Sequence, residues 1–212
     1  MSNIETFQIV NTNIYINLDT EIIENSDDYL KLIILKSDDY LNLSELGIIN
    51  INFKLHEAHM EKITKINLKS NMLKHIDYIP TNISGLNLSH NQIKNIDILS
   101  NQINLTYLNL SYNSDLIINL NTFDNLVNLT KLNLAGINLN SIHPMLFKNL
   151  VNLIYLNLAG NNIESIEGVY FPPNLNTLNL TYNKLLTYNK LENASEIASE
   201  LASLSKLKNF YI

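Results

Sequence analysis

The nine residues Leu105–Asn113 read LTYLNLSYN. Leu108 and Leu110 are two apart, so in an extended strand they point to one face, with Tyr107 and Asn109 on the other. Near copies recur along the chain: INLKSN at 66–71, LNLSHN at 86–91, LNLAGN at 156–161 and LNLTYN at 178–183. A segment with one apolar face, repeated at intervals, cannot bury that face alone. Stacked copies can.

Alignment on apolar-x-x-apolar-x-Leu gives six units, opening at Ile63, Ile83, Leu105, Leu129, Leu153 and Leu175, with spacings of 20, 22, 24, 24 and 22 residues. A further start at Leu207, LKNFYI, shows the same strand pattern. Positions four and six of the units are Ile66/Leu68, Leu86/Leu88, Leu108/Leu110, Leu132/Leu134, Leu156/Leu158 and Leu178/Leu180. Each such side chain contributes about 1.5–3 kcal/mol when buried, before entropy is charged. Phe123, Phe147 and Phe171 share the nineteenth position of three successive units and predict a second apolar column, a phenylalanine spine.

Position nine is Asn71, Asn91, Asn113, Asn161 and Asn183, with Ile137 in the fourth unit. There the chain turns inward and buries backbone groups that no strand partner reaches. Asparagine carries donors and an acceptor on one short side chain and can bond turns on both sides, forming an asparagine ladder. The Ile137 unit predicts a locally different turn.

The pattern resembles the leucine-rich repeat family, L-x-x-L-x-L-x-x-N-x-L, over residues 63–185. The resemblance implies an α/β fold: a curved solenoid with a parallel β-sheet on its concave side, and the function of a protein-interaction scaffold. The expected organisation is an N-terminal cap over 1–62, six repeats over 63–185, and a helix-plus-strand cap over 186–212.

The caps are read from local pattern. TFQIV and NIYINL flank Asn11-Thr12-Asn13 and predict a hairpin. SDDYLKL (26–32) and SDDYLNL (37–43) each place Ser and two acids before apolar residues, the signature of a helix start. LGIININF (46–53) predicts one irregular strand. In ENASEIASELASLSKL, Ile197, Leu201 and Leu204 lie at helical spacing. LKNFYI predicts a closing strand with an edge through which a second copy could pair, so a monomer or weak self-association is expected.

Composition narrows the function. The net charge is −6, with eleven acids and four lysines in residues 1–62 and six of each over 63–182. A neutral centre and an acidic front do not make a phosphate-binding surface, so no nucleic acid is expected. No run of about eighteen apolar residues exists, so no membrane span is expected. There is no cysteine, which removes thiol chemistry and disulfide caps. With no signal peptide in the opening residues, an intracellular, cytoplasmic protein is expected, in the host-cell cytoplasm if the source is a virus. Arginine is absent while Asn, Ile and Lys abound, as in an AT-rich genome. HEAH (His56–His59) is one residue short of the zinc spacing H-E-x-x-H. No catalytic site, metal or cofactor is expected.

Positions three, five and seven alternate with the buried leucines and, with position eight at the strand exit, predict the binding face. Position five is uniform: Asn67, Asn87, Asn109, Asn133, Asn157 and Asn179. These either bond one another along the sheet or present amides to a partner. Position three varies and holds Lys65, then Tyr107, Lys131 and Tyr155 in consecutive units. Tyrosine offers apolar area and a hydroxyl at low entropic cost, so these three are the expected contact centre, unless they pack on one another through cation–π contacts. Ala135–Gly136 and Ala159–Gly160 should leave room beside them. Asn109, Asn133 and, at the strand exit, His90, Tyr112 and Tyr182 complete the candidate surface. The expected function is non-catalytic binding of a protein partner. Alternatives are a substrate-recruiting or regulatory subunit of a ubiquitin-ligase or phosphatase type, or a structural self-associating protein.

Overall fold

The computed structural model describes residues 17–18, 21–22, 34, 37–185, 195, 197–199 and 201–212. Strands β1 (Asn17–Leu18) and β2 (Glu21–Ile22) form a short antiparallel pair. Eight three-residue strands then form one parallel sheet in chain order. They are β3 (Tyr40–Asn42), β4 (Lys65–Asn67), β5 (Gly85–Asn87), β6 (Tyr107–Asn109), β7 (Lys131–Asn133), β8 (Tyr155–Asn157), β9 (Thr177–Asn179) and β10 (Asn209–Tyr211). Equal positions of neighbouring units pair throughout: Tyr107 with Lys131 and Lys131 with Tyr155, Leu108 with Leu132 and Leu132 with Leu156. The result is the expected parallel β-solenoid.

All twelve residues at positions four and six of the six units are buried. The phenylalanine spine is present, with Phe123, Phe147 and Phe171 stacked at centroid distances of 6.3 and 6.4 Å. Ile197 and Leu204 are buried, residues 195, 197–199 and 201 are helical, and β10 pairs with β9 as expected of the closing strand.

Two expectations are corrected. SDDYLNL does not open a helix: its Tyr40–Asn42 is β3, paired with β4. LGIININF supplies no strand; it runs through turn and irregular chain into a 3-10 helix at Phe53–His59. The sheet therefore starts one turn before Ile63. The predicted hairpin at Asn11–Asn13 and the first SDDY segment, 26–32, lie outside the described residues.

The turn after each strand has a common geometry. Position eight is left-handed in every unit: Glu45, Ser70, His90, Tyr112, Gly136, Gly160 and Tyr182 have φ between 55° and 66°. Its N–H still donates to the next strand, as His90 N to Ser111 O at 2.9 Å. This corner swings position nine into the core. There Asn113 Nδ2 donates to Leu88 O (3.0 Å) and Leu110 O (2.9 Å), and its Oδ1 accepts from Ile93 N (2.9 Å). Asn91 repeats this with Leu68 O, Leu88 O and Leu73 N, and Asn183 with Leu158 O, Leu180 O and Ile163 N.

Two turns lack the asparagine, with Leu46 and Ile137 in its place. In both, position ten also turns left-handed, at Gly47 (φ 66°) and Asn138 (φ 61°). In both, the next rung accepts two N–H groups instead of one. Asn71 Oδ1 accepts from Leu46 N and Ile48 N, and Asn161 Oδ1 from Ile137 N and Leu139 N. The locally different turn expected at Ile137 is this one.

A second asparagine row closes each unit. Asn104, Asn128, Asn152 and Asn174, immediately before the next strand segment, donate to Thr81 O, Ile103 O, Val127 O and Val151 O at 2.8–3.0 Å.

The ladder predicts unequal costs. In Asn91→Ala, Leu68 O and Leu88 O each keep another asparagine donor and only Leu73 N is stranded. Asn161→Ala strands Ile137 N, Leu139 N and Leu134 O together. At roughly 1–3 kcal/mol per stranded group, urea denaturation should show Asn161→Ala costing at least about 2 kcal/mol more than Asn91→Ala.

Candidate functional site

The outer face of the sheet, opposite the leucines, carries the sequence-predicted residues. In row three, Tyr40, Lys65, Gly85, Tyr107, Lys131, Tyr155 and Thr177 stand in register. Lys65, Tyr107 and Lys131 are exposed and Tyr155 half-buried. The alternative of cation–π contacts among Tyr107, Lys131 and Tyr155 finds no such contact among the described residues. Among the described residues that contact is made by Lys54 over Tyr78, 4.7 Å from the ring centroid.

Row five has a different role from either reading of the sequence. Each Oδ1 accepts the backbone N–H two residues on: Asn87 from Ser89, Asn109 from Ser111, Asn133 from Ala135, Asn157 from Ala159 and Asn179 from Thr181, at 3.0–3.1 Å. This is an Asx turn that bends the chain out of the strand. Pairing along the sheet occurs only between Asn67 Nδ2 and Asn42 Oδ1, 2.9 Å, among the described residues. Asn109 and Asn133 are thus half-buried turn formers whose acceptors are occupied.

Rows seven and eight close one rim. Ser89, Ser111 and Ala135 are buried. His90, Tyr112 and Tyr182 are exposed, Tyr182 by 88%. The His90 and Tyr112 rings stack at 4.4 Å. The room expected beside Tyr107 at Ala135–Gly136 is filled: a Cβ on Gly136 would stand 2.8 Å from Tyr112 Cδ1.

The concavity lies one step away, over Gly85, and sequence reasoning missed it. Its volume is about 340 Å³, and its lining includes Tyr40, Lys65, Gly85 and Tyr107 of row three with Asn67 and Asn87 of row five. The signal was a lone glycine in a row that otherwise carries Lys, Tyr or Thr. Lys65 Nζ donates to Asp39 Oδ2 at 2.9 Å. That hydrogen bond, and then the lysine charge, hold the Asp39 carboxyl below its ordinary range.

Among the described residues, no group of three His, Cys, Asp or Glu could hold a metal ion, and no helix is long and apolar enough to cross a membrane. The His56 side chain of the HEAH motif lies outside the described residues.

The family model described as leucine rich repeat matches residues 127–185. No curated protein matches the sequence significantly. Among solved structures, the chain is similar to the TLR13 chain of a TLR13–ssRNA13 complex (TM-score 0.67, 21% identity, 82% of this chain and 28% of that one). It is similar to an internalin (inlF) of Listeria monocytogenes (0.62, 20%, 90% and 50%). It is also similar to internalin C2 (inlC2) of the same species (0.63, 21%, 86% and 80%). The chain thus spans half or less of the first two of these proteins. Identities this low establish the shared leucine-rich-repeat fold.

The Lys65–Asp39 pair yields a pH prediction. A carboxyl held low is charged and paired above its ordinary pKa, and the pairing is lost as pH falls through the lowered value. Lys65→Met should return the Asp39 carboxyl toward its ordinary value, read by NMR titration. The melting temperature at neutral pH should hardly move, because the pair is solvent-exposed.

Proposed function

We propose that the chain is a non-catalytic recognition module that binds a protein partner on the outer face of its sheet. One observation carries this reading. Row five supplies turn-forming amides and row seven, apart from Lys69, small residues at least half-buried, whereas row three is varied, rich in tyrosine and exposed at Tyr40, Lys65, Tyr107 and Lys131. Side chains that the fold does not use, on a rigid platform, are what a binding surface requires. The seven strands β3–β9, at about 4.8 Å spacing, present roughly 29 Å of platform.

The leucine-rich-repeat match over residues 127–185 supports the reading, since such repeats generally act as protein-interaction modules. The TLR13 structure holds single-stranded RNA, but this chain has neither arginine nor a basic stripe and carries a net charge of −6. Nucleic-acid affinity rests on phosphate neutralisation, and little here supplies it. Such a module would also suit the recruiting subunit of an enzyme complex.

The test is affinity capture from native cells with wild type and with a triple variant, Tyr107→Ala, Lys131→Ala and Tyr155→Ala. The triple variant should melt within a few degrees of wild type and lose the partner. Met145→Ser, on an exposed turn away from the sheet, should retain it. Unfolding of Tyr107→Ala alone would refute the face assignment. Loss of the core leucine beneath, Leu108→Ala, should by contrast cost about 2–5 kcal/mol.

A further inference from the structure

The cavity over Gly85 exists because row three has no side chain there while its neighbours do. Lys65 and Tyr107 stand one strand away on either side, in register with Gly85. Their backbones are therefore roughly 10 Å apart. Between a tyrosine ring and a lysine stem, that gap admits one flat or unbranched side chain. The lysine wall is hydrocarbon and leans over Gly85: its Cγ would lie 3.1 Å from a Cβ on Gly85, so an occupant of the cavity packs on that stem and displaces it slightly toward Asp39. Its ammonium is held by Asp39, so the cavity favours an apolar occupant.

The surface around it is short of acceptors. With each row-five Oδ1 engaged by backbone, the Nδ2 groups of Asn87, Asn109, Asn133, Asn157 and Asn179 have no partner among the described residues. They form a column of N–H donors. Lys131, two strands from Gly85, has no carboxylate partner among the described residues. Positions three, five and seven of β3–β9 carry Lys65, Lys69 and Lys131 and no acid, in a chain of net charge −6; the acids of the first turn, Asp38, Asp39 and Glu45, flank the β3 end. Donors and cations without acids call for an acceptor-rich, anionic ligand.

We propose that this face binds an extended acidic segment of a partner protein. An apolar side chain, aromatic for preference, sits over Gly85 between Tyr107 and Lys65. A carboxylate two to four residues away meets Lys131. The spacing follows from the sheet: two strands are roughly 10 Å, about three residues of extended chain, and the lysine stem takes up the difference. The amide column takes the segment's carbonyl or carboxylate oxygens. The proposal rests on the outer face being the binding surface. An RNA base could also stack in the slot, but this face carries too few cations to hold the phosphates that dominate nucleic-acid affinity.

The experiment selects random dodecapeptides on the full chain and measures binding of the selected peptides by fluorescence anisotropy. The selected set should be enriched in Asp and Glu two to four residues from an aromatic or large aliphatic residue. Gly85→Tyr fills the slot with a side chain the row already carries elsewhere, and Lys131→Glu reverses the free charge. Each should weaken binding at least tenfold, with circular dichroism confirming the fold. Enrichment of Lys and Arg, no enrichment at all, tighter binding of a single-stranded RNA oligonucleotide, or unchanged affinity in both variants would overturn the proposal. If the captured cellular partner needs Tyr107, Lys131 and Tyr155 but tolerates Gly85→Tyr, this proposal falls and the binding face stands. If capture ignores the triple variant, the face itself is wrong.

Discussion

The structure depends on one hydrogen-bonding problem, the buried turn after each strand. A three-residue strand followed by an inward corner leaves carbonyls and N–H groups facing the core, away from water. One asparagine amide per unit resolves it by donating to the position-six carbonyls of its own and the preceding turn. Leu68 O, Leu88 O and Leu158 O each receive two such donors. The ladder is therefore redundant in places. Where Leu46 and Ile137 break it, the redundancy is gone and the following asparagine carries both turns. The apolar substitutes are not left idle, since Ile137 is buried in the core it faces.

That solution dictates the chemistry of the opposite face. The left-handed corner fixes position eight, and its approach needs the Asx turn at position five and a small residue at position seven wherever neighbours crowd. The same residue type, asparagine, is used twice within five residues for different purposes: one amide is buried and bridges turns, the other bends the strand and exposes its N–H groups. Row three is left over. Its side chains can change without disturbing a turn, which is why Lys, Gly, Tyr and Thr all occur there and why a single glycine creates a slot.

The leucine columns, the phenylalanine spine, the ladder and the closing strand were legible because each follows from a period that appears several times. What occurs once was not. The turn opening at Asp38 was missed because an acid stands where the apolar residue belongs and Leu46 stands at the ladder position. Ser-Asp-Asp before apolar residues is also a helix-start signature, and nothing local excludes it; in the fold, Asp39 serves Lys65 instead. The second asparagine row was in plain view, since successive units end in Asn82, Asn104, Asn128, Asn152 and Asn174. A chain so rich in asparagine gives such a column little contrast. The slot over Gly85 was hidden for the opposite reason. Contact-making side chains announce themselves in a sequence, whereas a cavity is marked by the lack of one.

The charge distribution decides how far net charge governs this face. The acids of the first turn, Asp38, Asp39 and Glu45, sit at the β3 end, four strands from Lys131, or roughly 19 Å. That is more than twice the Debye length of about 8 Å at physiological ionic strength. An anionic segment at Lys131 therefore feels the lysine and the amide column rather than the acidic end. At low salt the screening relaxes and the acidic end opposes its approach, while the local attraction strengthens. The two trends oppose each other, so added salt should change the affinity for an acidic segment only weakly. Counterion release from a nucleic acid would instead give a steep loss with salt.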